Sequence, residues 1–299
     1  MKRVLALAWA CAVICGGCAD GSSTPEPQEG MPYRYFLVGA EGAGELKPGF
    51  GVAIVEERTS GGERLGRTHR GRWLPMNRLE AAAPAHLLGA PIADGRLHVG
   101  WVIDRQTPLR AHPDESEAPL AMRARFDRVE LAGDAPPGWL HSSAGYLRAA
   151  ALRVPTPAVR PADVAPGERW IDVDTATQTL TVYDGDLPLF ATLVSTGAAE
   201  PHHHLATPRG VFRVYAKLPT ATMDNLDESA GLPAYSFEDV PWVQYFHKEI
   251  GLHAAFWHQR FGHPVSHGCV NLSPPDAERL FGYTRATNPS HPGTVVRVR

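Results

Sequence analysis

The sequence predicts a mainly β protein with one short helix near its C-terminus. Three observations carry that expectation. Short runs of alternating apolar and polar residues recur along most of the chain, each bounded by turn residues. Glycine (29) and proline (27) are abundant and scattered, which suits many tight turns. Only "PPDAERLFGYT" carries firm helix signals. Ser273 precedes it as a cap, Pro274 fits its first position, Asp276 sits in capping-box style at the third, and Ala277, Leu280 and Phe281 give an apolar face.

The composition bounds the function. A chain of 299 residues that is 43% hydrophobic can build two or three domains with real cores. A formal net charge of -3 supplies no basic field, so nucleic acid is not an expected partner.

The first elements are a targeting segment and a tether. Lys2 and Arg3 precede the apolar run "VLALAWACAVICGG" (4–17), which is too short to span a bilayer. Gly16 and Gly17 then precede Cys18. The pattern resembles a bacterial lipoprotein signal, although Cys15 stands where leucine is usual; an ordinary secretory signal is the alternative. The resemblance implies a signal peptide over 1–17, lipid on the thiol of Cys18, and an exported protein held to a membrane. Ala19 after that cysteine implies, by analogy, the outer membrane where the cell has one. Residues 18–32 are polar and rich in Pro, Ser and Gly, as a flexible tether is. With Cys11 and Cys15 in the signal and Cys18 lipidated, Cys269 is left as a lone thiol in an oxidising compartment. It is either a buried core cysteine or a nucleophile.

Two β-rich segments follow. Residues 33–94 read as a strand, a Gly-rich hairpin and the strand "GRWLPM"; residues 95–154 repeat the arrangement and end in "GWLHSSAGYL". Both resemble bacterial SH3-like modules, small barrels that often bind cell-wall peptides. Inert β spacers are the alternative. A Pro-rich linker, 155–167, ends this region.

The last unit, 168–299, opens with "WIDVD" and "QTLTVYD" as strands around the turn "TAT". "DGD" makes a second turn and "PLFATLVSTG" a third strand. "ATPRGVFRVYAKL", "VPWVQYF" and "IGLHAAFW" continue the β pattern. The segment 223–242, "MDNLDESAGLPAYSFEDVPW", is acidic and then aromatic. It reads as a lid or groove loop, with Asp224, Asp227 and Glu228 placed to attract a cationic amine.

Within this unit stand His253 and then Ser266-His267-Gly268-Cys269-Val270-Asn271, preceded by "STG" (195–197) and "TPRGVFRV" (207–214). These motifs resemble, in family order, those of bacterial L,D-transpeptidases of the YkuD family. Ala254 departs from the Gly or Ser common after the upstream histidine, and the His253-to-Ser266 step is short. The resemblance implies a YkuD-type β-sandwich and a cysteine acyltransferase acting on peptidoglycan stem peptides. A tetrapeptide stem would acylate Cys269, terminal D-Ala would leave, and an amine would resolve the thioester. The product would be a 3→3 crosslink or a protein attached to the wall. An L,D-carboxypeptidase, in which water is the acceptor, and a non-catalytic wall-binding lipoprotein are the alternatives.

The residues themselves support the chemistry. A thiol near its ordinary pKa of about 8.5 is only a few per cent ionised at neutral pH. A neighbouring imidazole can take the proton and hold an ion pair, and the resulting thioester can pass to an amine. The resemblance makes His253 the base. His267, next to Cys269, is expected to orient or wall the site. Asn271 shares the face of Cys269 at i+2 and is a candidate for fixing substrate. Gly268 permits a tight turn that brings amide N–H groups toward an oxyanion. Ser266, Trp257 and Tyr235 complete the expected substrate wall. No cofactor is called for. The run "PHHH" (201–204) is not a metal motif, because adjacent side chains diverge and HExxH is absent.

Overall fold

The computed structural model describes residues 28–198, 205–226 and 234–299. The expected signal peptide, Cys18, most of the tether, His202–His204, Asp227 and Glu228 lie outside the described residues. Among the described residues no helix is long and apolar enough to cross a membrane.

Two large sheets dominate. The six-stranded sheet runs Gly210–Arg213, Val295–Val298, Arg169–Asp174, Thr179–Asp184, Leu187–Leu193, Ala90–Pro91. The expected "WIDVD" and "QTLTVYD" strands pair antiparallel from Asp174 opposite Thr179 to Arg169 opposite Asp184. Their turn is held by the Asp174 carboxylate, which accepts from the N–H groups of Ala176 and Thr177. The nine-stranded sheet contains Val270–Leu272, Ile250–Ala254, Ser236–His247, Gly51–Ser60, Arg34–Val38 and Leu79–Ala81 in that order. Ala216–Asp224 also pairs with Ser236–His247, and the hairpin strands Glu63–Thr68 and Trp73–Pro75 extend from Gly51–Ser60.

The main core contains residues from both sheets. Ile171, Val173, Leu180, Val182 and Phe190 of the smaller sheet cluster with Phe246, Leu252, Ala254, Val270 and Leu272 of the larger. Ala277 and Leu280 of the helix Pro274–Tyr283 join them. This is the expected mainly β architecture with one short helix. The helix entry differs from the capping box. Ser273 holds the N-cap position, but its side chain makes no capping bond to the backbone. Asp276 turns inward, 2% exposed, and accepts from the N–H of Gly89 (2.9 Å) and Thr192 Oγ1 (2.6 Å). The carboxylate ties the helix to the chain before it, because two fixed donors are available inside.

Residues 33–94 and 95–154 are both knitted into the C-terminal unit. Gly51 pairs with Phe237 across the larger sheet, and Ala90–Pro91 adds an edge to the smaller one. Only glycine fits at 51, since a Cβ there would sit 2.6 Å from the Phe237 ring. The second segment folds its three-stranded sheet and two hairpins over Val102, Leu109, Val129, Leu147 and Leu152. Its Trp101, fully buried, packs with Leu193 and Phe261 of the C-terminal unit. The Pro-rich stretch 155–167 is laid along that unit rather than standing free. Thr156 Oγ1 donates to Asp174 (2.9 Å), the N–H of Ala158 donates to the Tyr183 hydroxyl (3.0 Å), and Val164 is buried against Trp170 and Val295.

The segment 223–242 is mostly strand where it is described, with Asn225, Leu226, Ala234 and Tyr235 outside the strands. It forms part of an antiparallel hairpin, Met223 opposite Phe237 and Asp224 opposite Ser236. The 33–94 segment grips that hairpin. Arg72 pairs with the buried Glu238, Tyr35 donates its hydroxyl to the Asp239 carbonyl (2.5 Å), and Arg70 donates to Thr222 (2.8 Å).

Candidate active site

The parallel strands Ile250–Ala254 and Val270–Leu272 carry the chemistry. Their register puts Leu252 opposite Val270 and His253 opposite Asn271. Cys269 immediately precedes the second strand, so it shares a face with Asn271 and hence with His253. Leu252, Ala254, Val270 and Leu272 point the other way into the core. Alternation thus aims the three polar side chains outward while the apolar ones anchor the strands.

These side chains open into a cleft of about 910 Å³. Cys269, His253, His267, Asn271, Ser266, Trp257 and Tyr235 all line it. The structure therefore gathers seven of the expected site residues. Gly268 does not line the cleft. Its N–H donates to Ser266 Oγ (3.1 Å) and its carbonyl accepts from Thr207 Oγ1 (2.8 Å). That N–H is occupied, so Gly268 shapes the turn at φ +123° and offers no free N–H to an oxyanion. Ser266 likewise closes the turn, donating its hydroxyl to the Cys269 carbonyl.

Cys269 is the free cysteine among the described residues and is part-exposed. Its Sγ lies 3.8 Å from the Glu249 carbonyl oxygen and accepts a bond from the backbone N–H of Gly251. Burial pushes its pKa up to about 11; the Gly251 N–H opposes that shift and the Glu249 charge adds to it. His253 is 2% exposed, and burial pushes its pKa down to about 4. Its Nδ1–H donates to the Ala254 carbonyl (2.9 Å). That bond fixes the tautomer and leaves the Nε2 lone pair as the basic atom. Both shifts favour the uncharged forms, thiol and imidazole, over the expected thiolate–imidazolium pair, because burial leaves charge poorly solvated.

Aromatic rings build the walls. Trp257 stacks on Phe237 with centroids 3.9 Å apart and lies beside His253 at 5.8 Å. Tyr235 packs against His267 at 5.0 Å, which keeps His267 on the wall of the cleft. Tyr245 also lines the cleft; burial, then the neighbouring Cys269, raises its pKa and keeps the phenol protonated.

Three contributors were missed in the sequence. Thr207, in the "TPRG" signature, accepts from the N–H of Gly197 (2.8 Å) and donates to the Gly268 carbonyl, tying both upstream motifs to the turn before Cys269. Ser195 exchanges backbone bonds with Asn271, 3.0 and 2.8 Å. His258 lies against the Asn271 carboxamide, 3.0 Å from Nε2. The motifs "STG" and "TPRG" marked the first two regions, but nothing in spacing alone says that they clasp residues 266–271.

Residues 168–298 match the YkuD family model, the L,D-transpeptidase catalytic domain. The search of curated proteins found no match. Among solved structures, the chain is similar to an L,D-transpeptidase from Stackebrandtia nassauensis at 26% identity, over 46% of this chain and 58% of that one, with a TM-score of 0.34. The C442S mutant of the Enterococcus faecium L,D-transpeptidase matches at 25% identity, over 44% and 50%, with a TM-score of 0.36. An L,D-transpeptidase from Mycobacterium smegmatis matches at 18% identity, over 79% and 90%, with a TM-score of 0.36. The chain thus spans half to three-fifths of the length of the first two. The YkuD match contains all seven gathered residues and both upstream motifs.

Proposed function

We propose that this protein is a peptidoglycan L,D-transpeptidase in which Cys269 is the nucleophile and His253 the general base. The observation that carries the reading is the thiol and the Nε2-bare imidazole on one face of two paired strands, opening into one cleft within the YkuD-matched region. As Cys269 Sγ attacks the acyl carbon after the third stem residue, its proton passes to His253 Nε2. The tetrahedral intermediate collapses to a thioester, and the proton on His253 leaves with the amine of terminal D-Ala. An acceptor amine then gives a proton to His253, attacks the thioester, and frees the thiol. The net result is one amide exchanged for another, as a 3→3 crosslink or a protein-to-wall bond.

The remaining parts of the proposal rest on the sequence. The protein is exported and anchored by lipid at Cys18, facing the periplasm or wall, in the outer membrane where there is one. Residues 33–154 act as SH3-like modules that hold wall peptides near the cleft.

Incubating the mature protein with tetrapeptide-stem fragments tests the activity. Mass spectrometry should find dimers with loss of D-Ala, and a thioester adduct on wild type that is absent from Cys269→Ser. Tripeptide alone, with ample acceptor present, would mean a carboxypeptidase. An adduct that persists on Cys269→Ser removes Cys269 as nucleophile.

A further inference from the structure

We infer that His258 is a positioning residue of this site: its Nε2–H holds the carboxamide oxygen of Asn271 and so turns the Asn271 NH₂ toward the acyl-transfer cleft. The inference rests on the transpeptidase reading for its role, and on geometry for its existence. The atom assigned as Asn271 Nδ2 lies 3.0 Å from His258 Nε2, and the inference turns that carboxamide over, exchanging its nitrogen and oxygen. Its other nitrogen, Nδ1, accepts the backbone N–H of Arg260 at 3.1 Å. A neutral imidazole carries one proton, so with Nδ1 accepting, that proton is on Nε2. An Nε2–H needs an acceptor, and a carboxamide supplies one only through its oxygen.

The consequence falls on the other end of the amide. Asn271 is 3% exposed, and the carboxamide atom away from His258, assigned as Oδ1, has no hydrogen-bond partner among the described residues. With the oxygen held by His258, that place belongs to the NH₂ group. Asn271 lines the cleft two residues along the chain from Cys269. Its backbone is locked on both sides by Ser195, so the side-chain rotation is what remains to be set. His258 is held in turn by Phe261 at 4.9 Å and by Trp257 at 6.2 Å. Burial, then the neighbouring His253, pushes the His258 pKa down to about 4, so the arrangement persists at neutral pH. A fixed N–H donor beside the nucleophile suits a peptide oxygen of the bound stem, either the carbonyl under attack or a carboxylate next to it. A stem seated there gives the unpartnered group its partner.

Two measurements test this. In ¹⁵N-labelled protein without substrate, the ring nitrogens of His258 should show Nε2 protonated and Nδ1 bare; a proton on Nδ1 overturns the inference. With stem tetrapeptide, His258→Phe should lower kcat about 10-fold or more while the iodoacetamide rate at Cys269 stays within about 2-fold. His258→Gln, which keeps an N–H near the Nε2 position, should recover to within about 3-fold of wild type. His258→Phe combined with Asn271→Ala should be no slower than Asn271→Ala alone, since the two act as one unit. Additive losses, or a glutamine variant as slow as phenylalanine, refute the positioning role. A wild type that turns over no stem peptide defeats the transpeptidase reading instead, and the tautomer measurement then decides the His258 contact by itself. If His258→Phe fails to fold, the glutamine variant and the tautomer still decide.

Discussion

Changing pH separates a neutral thiol–imidazole pair from a preformed ion pair. Burial raises Cys269 from 9.0 to about 11 and lowers His253 from 6.5 to about 4. Between those values both groups are uncharged. Burial of both groups therefore opposes the ion pair at rest. At pH 7 only about one thiol in 10⁴ is ionised. Small alkylators consume the thiolate, so iodoacetamide should label Cys269 at a rate that climbs about tenfold per pH unit from 7 toward 11. At pH 7 the rate should fall roughly 10- to 100-fold below that of a free peptide thiol, after the greater nucleophilicity of a high-pKa sulfur is allowed for. Acylation by a stem peptide should behave differently. There the proton leaves to His253 as the S–C bond forms, and the step needs only a neutral imidazole. Its kcat/KM should be level from about pH 5 to 9 and fall as His253 protonates near pH 4. His253→Ala should lower acylation by about 10²-fold or more and give it the same slope as alkylation. Stopped labelling with intact-mass readout measures both profiles. A wild-type alkylation rate that is level through neutral pH would show a standing ion pair and refute the reasoning.

Other outcomes follow from the same coordinates. His253 is neutral when folded, with a pKa below its unfolded value, so the unfolded chain gains a proton first as pH falls from 6.5 toward 4. Stability is full above about 6.5 and should drop by up to about 3 kcal/mol by pH 4. Urea unfolding at pH 7 and 4.5 measures it, and His253→Gln should remove about half of the slope, because the buried His258 contributes a comparable share. Arg72→Ala strips the guanidinium from Glu238, which is 2% exposed, and should cost about 3 kcal/mol. Adding Glu238→Gln should return part of that loss, and thermal melts that show none would mean the 33–94 segment does not brace the hairpin. Cys18→Ala should move the protein from the membrane pellet to the soluble exported fraction; retention in the pellet after a salt wash ends the lipoprotein proposal.

The sequence by itself determined the β character, the α-helix found among the described residues and which candidate groups to look for. These features are local: alternation, turn residues and a helix start act within a few neighbours, and a lone cysteine beside histidines is visible in one line of text. The strands "WIDVD" and "QTLTVYD" and the helix from Pro274 stand where their patterns place them. The gathering of His253, Ser266, His267, Cys269 and Asn271 into one cleft was expected from a motif, but its geometry was not. Tertiary structure decided the rest. It took the Gly268 N–H for Ser266, turned Asp276 from cap to buried tie, and made a hairpin wall of 223–226 and 234–242. It also fused residues 33–94 to the catalytic sheet through Gly51 and Phe237, a pairing of residues far apart in the chain that no local pattern announces. Above all it biased the charge state of the proposed nucleophile. Cys269 and His253 are charged or neutral according to how much water their surroundings admit, and burial is a property of the folded whole.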